Sequence, residues 1–321
     1  MDIGALQFFS WPGRRVPLPE VYERALERIE IMDQSGFDCV WLAEHHFSTY
    51  SVCPSVHMMG VQAASRTNNI RIGMGVTLAA MYHPLRIAEE IALLDHFSGG
   101  RVNWGAGRGF DKKEYEVFGI TPDNGGERFR ENVQIVVEAW KSERLTYHGK
   151  YWDFDDVEVL PKPYQDPHPP VWMAATSRDS IEAAAKLGYS ILMDPHSSHE
   201  EIGEKRELFY DTLREYGHPA EDRVLPTARL IAVADTDAEA EEIASQGAKW
   251  MLGSYISRPD EEMDPVDRYV QKVMIHGTKE KVLDEILRLR EEIGLDSLIC
   301  ASLSHDSFVR FTNDVLPKLP R

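Results

Sequence analysis

Short apolar runs alternate with longer amphipathic stretches along the whole chain, and that rhythm leaves few folds open. Eight runs read as strands: Ile3–Phe9, Phe37–Ala43, Ile70–Leu78, Arg101–Gly107, Val171–Ala175, Ser190–Met193, Arg229–Ala234 and Ser297–Ala301. Between them the spacing turns helical. Val21, Ala25, Ile29 and Met32 share one helix face, as do Phe129, Val133, Val136 and Trp140, and again Val282, Ile286, Leu289 and Ile293. Ser198 with Glu201, and Thr236 with Glu239, have the spacing of a capping box. Strands separated by helices make parallel βαβ units, because parallel neighbours need a crossover connection. Near-continuous apolar strands fit a sheet covered on both faces. The pattern therefore predicts an α/β fold, a single eight-stranded β/α (TIM) barrel domain over residues 1–321, with a doubly wound open sheet as the other topology.

Three segments break the rhythm. Residues 144–170 hold Tyr147-His148-Gly149-Lys150-Tyr151-Trp152, which reads as a small hairpin insertion, followed by a proline-rich stretch to Pro169 and Pro170. Residues 121–126, Thr-Pro-Asp-Asn-Gly-Gly, read as a turn cluster. Residues 253–277 are acidic, contain Pro259 and Pro265, and lack periodicity. Long irregular insertions in compact domains often serve as lids or binding loops, so this segment reads as a lid-like loop or else as a solvated surface excursion.

The formal net charge of −18 argues against a nucleic-acid binder, which needs a basic face to displace counterions. No secretion signal is visible, and no run approaches the ~20 apolar residues that span a membrane. A cytoplasmic protein without membrane contact is expected. Cys39, Cys53 and Cys300 show neither paired nor metal-type spacing and read as small buried hydrophobes.

Two places concentrate chemistry. The strand at residues 37–43 ends in Glu44-His45-His46. A carboxylate and two imidazoles at a core boundary cost free energy unless they are paired or hydrogen-bonded, and in parallel α/β proteins catalytic groups project from carboxyl ends of strands. The second place is the glycine-bracketed run Gly99 to Gly109, which ends in Gly107-Arg108-Gly109. A dinucleotide fingerprint would need glycine where Phe110 stands, so that match fails. Arg108 offers a planar fork suited to phosphate, or else a surface ion pair with Asp111 or Glu114. After the Val171–Ala175 strand, Thr176, Ser177 and Ser180 stand at a helix start, suited to hold a phosphate or simply to cap the helix.

Taken in order, several segments resemble the bacterial luciferase-like family of flavin-dependent monooxygenases. They are Gly36-Phe37-Asp38 through Glu44-His45-His46-Phe47, His83-Pro84 through Leu94-Asp95, Gly100-Arg101 through Gly109, Val117-Phe118-Gly119, Pro170 to Gly188, and Gly277-Thr278 to Leu316-Pro317. The resemblance implies an eight-stranded β/α barrel. It implies that His45, preceded by Glu44, is the active-site histidine at the reactive edge of the flavin, able to act as general acid or base. By the same resemblance Arg108 holds the FMN phosphate with Thr176, Ser177 and Ser180, and Gly75-Val76 is a non-prolyl cis peptide against the flavin ring. With Phe110, these make the expected cofactor contacts. Three departures stand out. Thr176 replaces a glutamate of the luciferase α subunit, Gly107 replaces its reactive cysteine, and the loop before Gly277 is much shorter, which points away from light emission and long-chain aldehydes.

The activity implied is oxygenation of a small organic substrate by reduced FMN and O2, with the reduced flavin supplied by a separate flavin reductase, since no nicotinamide fingerprint is present. Phe8, Trp11, Tyr50 and Phe110 suggest an apolar substrate. The family also implies a homodimer. The rival readings are a deazaflavin-dependent hydride-transferring oxidoreductase on the same barrel, a non-catalytic flavin-binding member, and a metal-dependent hydrolase using some of His45, His46, His57, His83 and His96. Against the last, no strand carries a His-x-His pair, and no metal ligands are expected.

Overall fold

Strand β1 (Asp2–Gln7) opens the chain. The structure is a computed structural model and describes residues 1–220, 223–254 and 263–320. Its chain divides into two units, residues 7–174 and residues 1–6 with 175–321. Each is described by itself.

The unit of residues 7–174 runs α1 (Leu18–Ser35), β2 (Cys39–Leu42), α2 (Val56–Arg66), β3 (Arg71–Met74), β4 (Thr77–Leu78), α3 (Pro84–Ser98), β5 (Val102–Gly107), α4 (Lys112–Phe118), α5 (Pro122–Lys141), the hairpin β6 (Leu145–His148) and β7 (Asp153–Val157), and β8 (Val171–Ala174). Four strands pair in parallel in the order β2-β3-β5-β8, with β4 beside the end of β5. Every residue of β2 and β5 is buried, as a doubly covered sheet requires. Helix α1 buries Val21, Ala25, Ile29 and Met32, the face read from the sequence. It stops at Gly36, whose φ of 83° a side chain would resist. The Ile70–Leu78 run does not form one strand: it breaks at Gly75-Val76, between β3 and β4.

The hairpin is antiparallel, as read, and its turn is fastened to α5. The buried Glu131 carboxylate accepts from the backbone N–H groups of Lys150, Tyr151 and Trp152 at 3.3, 3.0 and 3.1 Å. The Trp152 indole donates to Asn132 at 2.6 Å.

The other unit runs α6 (Arg178–Lys186), β9 (Ser190–Leu192), α7 (His199–Glu215), β10 (Pro226–Val233), α8 (Asp237–Ser254), α9 (Pro265–Arg268), β11 (Ile275–Gly277), α10 (Lys279–Ile293), β12 (Ser297–Ser302) and α11 (His305–Arg310). Strand β12 pairs in parallel with β1 and β10; β11 lies beside the end of β10, and a Met193–Thr227 bridge ties β9's end to β10. Four strands of this unit (β1, β9, β10, β12) and four of the other account for the eight runs read in the sequence. Strand β10 starts earlier than its apolar run suggested, at a proline that owes no N–H in first position. It also carries the fully buried Arg229, whose Nη1 donates to the Ser197 carbonyl at 3.1 Å.

Two irregular segments turn out ordered. Residues 121–126 are not a turn but the entry to α5: Thr121 is the N-cap and forms a capping box with Asn124. Gly125 is tolerated inside the helix because a Cβ there would press on the Tyr115 hydroxyl at 3.0 Å. Of the lid-like loop, residues 255–262 lie outside the described residues. From Asp264 the chain is regular: Asp264 caps α9, and the π-helical turn that follows buries Tyr269, Val270 and Val273.

His199 gives this unit a pH signature. Burial, then the charge of Arg229, pushes its pKa down from 6.5 to about 4. The unfolded chain thus takes up the proton first, so stability is complete above about 6.5 and declines as pH falls toward about 4. A His199→Asn variant should show a shallower fall of Tm between pH 7 and roughly 4.5. Parallel Tm–pH curves for the two proteins would contradict this.

Candidate active site

The carboxyl end of β2 delivers Glu44, His45 and His46. Glu44 is 2% exposed. Its Oε1 accepts from the Tyr82 hydroxyl at 2.8 Å and from His46 Nε2 at 3.1 Å, so the His46 proton sits on Nε2. Its Oε2 is buried and has no hydrogen-bond partner among the described residues. Burial, and then the Glu44 charge, push the Tyr82 phenol far above its usual pKa, so it remains a donor.

His45 is fixed through its backbone, which donates to the Cys53 carbonyl at 3.1 Å. Its Nδ1 lies 3.7 Å from Glu114 Oε1, an oxygen that also accepts the His46 backbone N–H at 2.8 Å. Rings frame the imidazole: Tyr50 edge-on at 4.9 Å, Phe8 near-parallel at 6.4 Å and Phe110 edge-on at 6.5 Å. The fourth aromatic singled out in the sequence, Trp11, instead donates to the Val16 carbonyl and lies under Arg14.

At the end of β5, Gly107 abuts Val76: a Cβ on Gly107 would overlap Val76 Cγ2. The Gly75-Val76 peptide is cis. Arg108 is exposed, and neither of its anticipated ion-pair partners takes it. Asp111 caps α4, accepting from Lys113 and Glu114 N–H at 2.6 and 3.2 Å, while Glu114 turns to the histidines. Among the described residues its guanidinium makes no ion pair.

Thr176, Ser177 and Ser180 belong to the other unit. There the capping reading holds: Ser177 caps α6 in a capping box with Ser180, and the Thr176 and Ser177 N–H groups donate to Ser180 Oγ at 3.2 and 3.1 Å.

The structure adds Tyr82 and Glu114 to the residues picked from the sequence. Tyr82 carried no signal beyond its place before His83-Pro84. Glu114 was visible only as an ion-pair partner for Arg108, and it serves the histidines instead. All three cysteines are buried, with thiols pushed up to about 12 chiefly by burial, which makes them inert. The other histidines go separate ways. His83 packs on Trp152 at 4.4 Å, His96 donates to the Lys162 carbonyl at 2.9 Å, and His57 pairs with Glu90. Among the described residues, no group of three or more His, Cys, Asp or Glu side chains is placed to hold a metal ion. No helix among them is long and apolar enough to cross a membrane.

The sequence profile of luciferase-like monooxygenases matches residues 1–297. The chain belongs to the luciferase-like monooxygenase family. It is an enzyme of the flavin-dependent monooxygenase class. The oxygenase component of a flavin-dependent trigonelline monooxygenase from Acinetobacter baylyi is 28% identical, over 93% of this chain and 90% of that one. Among solved structures, the monooxygenase RslO1 of Streptomyces bottropensis superposes with a TM-score of 0.87 at 26% identity, covering 99% of both chains. The oxygenating constituent of 3,6-diketocamphane monooxygenase from Pseudomonas putida, solved with FMN, gives a TM-score of 0.81 at 22% identity over 100% of this chain and 99% of that one. A coenzyme F420-dependent tetrahydromethanopterin reductase from Methanopyrus kandleri gives 0.81 at 17% over 99% of both. This luciferase-like monooxygenase thus has the β/α barrel fold that its family resemblance implied.

The Gly107–Val76 contact makes a sharp test of local packing. Gly107→Ala should destabilise the protein by about 1–3 kcal/mol through overpacking. Gly107→Ala combined with Val76→Ala should recover most of that loss in urea unfolding. A cost for the double variant equal to the sum of the two singles would show that the residues do not touch.

Proposed function

We propose that this enzyme is the oxygenase component of a two-component system, binding reduced FMN and using O2 to oxygenate a small, largely apolar organic substrate. The observation that carries the reading is the exposed Arg108 guanidinium, without an ion pair among the described residues, at the end of β5 beside the Gly107–Val76 contact. A guanidinium left open where backbone can approach a ligand closely suits a phosphate. Arg108 would hold the FMN phosphate, with Thr176, Ser177 and Ser180 exchanging part of their capping network for phosphate oxygens. Gly75, Val76 and Phe110 would flank the ring system. Reduced FMN, once bound, supplies the electrons that activate O2.

The protein's own part is positioning and proton control. His45 is the proposed general acid or base, held by its backbone, with its Nδ1 facing Glu114. Glu44 orients His46 and is itself oriented by Tyr82. The rings of Phe8, Tyr50 and Phe110 border His45 and favour an apolar substrate. A separate flavin reductase is proposed as the source of reduced cofactor. The trigonelline enzyme named above is itself described as an oxygenase component.

The shared fold of an F420-dependent enzyme favours one rival reading, hydride transfer with a deazaflavin. Titration with FMN and with F420, each in both redox states, separates the two. Arg108→Ala should weaken FMN binding by about 1.5–3 kcal/mol, the range for a hydrogen bond to a charged group. His45→Ala should bind FMN nearly as well as the parent while losing most of its turnover in an oxygen-consumption assay with added reductase. Tight F420 binding without FMN binding would reverse the assignment, and unchanged turnover would remove His45 from the chemistry.

A further inference from the structure

Behind the candidate site, within the unit of residues 7–174, lies a buried hydrogen-bond chain that the proposed chemistry does not use. His57, in the first turn of α2, is 4% exposed. Its Nδ1 is 2.8 Å from Glu90 Oε2 on α3, and its Nε2 is 3.0 Å from Thr77 Oγ1. The same Thr77 oxygen receives the Trp104 indole N–H at 3.3 Å. The bonds have one consistent direction for a neutral ring. Glu90, held below its usual pKa first by its bond to His57, only accepts, so Nδ1 carries the proton. Trp104 can only donate, so the Thr77 hydroxyl hydrogen goes to Nε2.

Thr77 is the residue after Val76, whose side chain fills the space that Gly107 leaves. Its hydroxyl is clamped between an element on one side (His57 of α2) and β5 on the other (Trp104). The His57 ring also lies 5.6 Å from the Tyr82 ring, and the Tyr82 hydroxyl is what holds Glu44. One imidazole therefore touches the support of the Val76 wall and the support of the Glu44 carboxylate.

We propose that His57, oriented by Glu90, is a positioning residue that keeps these two halves of the site in register, through Thr77 on one side and Tyr82 on the other. The inference rests on the flavin-site reading for its consequence, but its structural content can be tested without flavin. Two variants remove the bonds: Thr77→Val, which is nearly isosteric, and His57→Phe, which keeps an aromatic ring of somewhat larger size. Thr77→Ser keeps the hydroxyl.

Hydrogen exchange on the FMN-free protein should show faster exchange confined to residues 76–82 in Thr77→Val and His57→Phe, and parent-like exchange in Thr77→Ser. With FMN bound, the first two should shift the flavin's visible absorption spectrum and raise Kd by about 2- to 12-fold, the worth of one hydrogen bond, with Thr77→Ser restoring both. Should the parent protein bind no FMN while the exchange pattern holds, positioning stands and the cofactor assignment falls. Unchanged exchange at 76–82 in Thr77→Val, or a loss of protection spread evenly over the protein and not rescued by serine, would overturn the proposal in favour of ordinary packing.

Discussion

A carboxylate with almost no contact with water must be held by donors, and Glu44 imposes that demand at the end of β2. Tyr82 and His46 meet it at one oxygen. Each of those partners is then constrained in turn. His46 has its backbone N–H on Glu114, which also faces His45. The carbonyls of Ala79 and Tyr82 are held by the Asn132 side-chain amide at 2.7 and 3.1 Å. The position of His45 within its ring of aromatics therefore follows from a polar scaffold around it rather than from packing alone. With Glu44 Oε2 already lacking a partner among the described residues, losing either bond to Oε1 would be costly in a low-dielectric interior, so the arrangement has little freedom to drift.

Much of this was legible in the sequence because it is periodic. The four-four-three spacing of Val21, Ala25, Ile29 and Met32 gives a helix face without reference to anything distant, and those residues are buried together. The abrupt change from Trp41-Leu42 to Glu44-His45 marks a strand end for the same reason. What stayed hidden depends on pairs far apart in the chain. Nothing local in Glu114 announces that it will meet His46, 68 positions away. The Thr-Pro-Asp-Asn-Gly-Gly segment misleads because its composition is that of a turn, while a threonine cap followed by proline is equally a helix start. Composition cannot separate the two; Tyr115, packed against Gly125, does.

The serine and threonine cluster before α6 shows how one arrangement admits two readings. Ser180 Oγ takes the Thr176 and Ser177 N–H groups, and Ser177 Oγ takes the Ser180 N–H. Those are the same donors that an anion would recruit at a helix start. A helix end that satisfies itself in this way is stable without ligand. It can also trade hydroxyl acceptors for phosphate oxygens with little change in the number of hydrogen bonds. Capping is the use the structure shows for these N–H groups, and the proposed phosphate contact would draw on the same set.

The hairpin at residues 145–157 has a consequence for how this scaffold tolerates change. Surface excursions are usually the parts of a fold that can be trimmed or swapped freely. This one is different, because Glu131 grips its turn and the Trp152 indole holds the Asn132 amide in the orientation that binds the Ala79 and Tyr82 carbonyls. The excursion works as a strut: shortening or grafting it would slacken the Tyr82 loop, and with it the hold on Glu44 at the carboxyl end of β2.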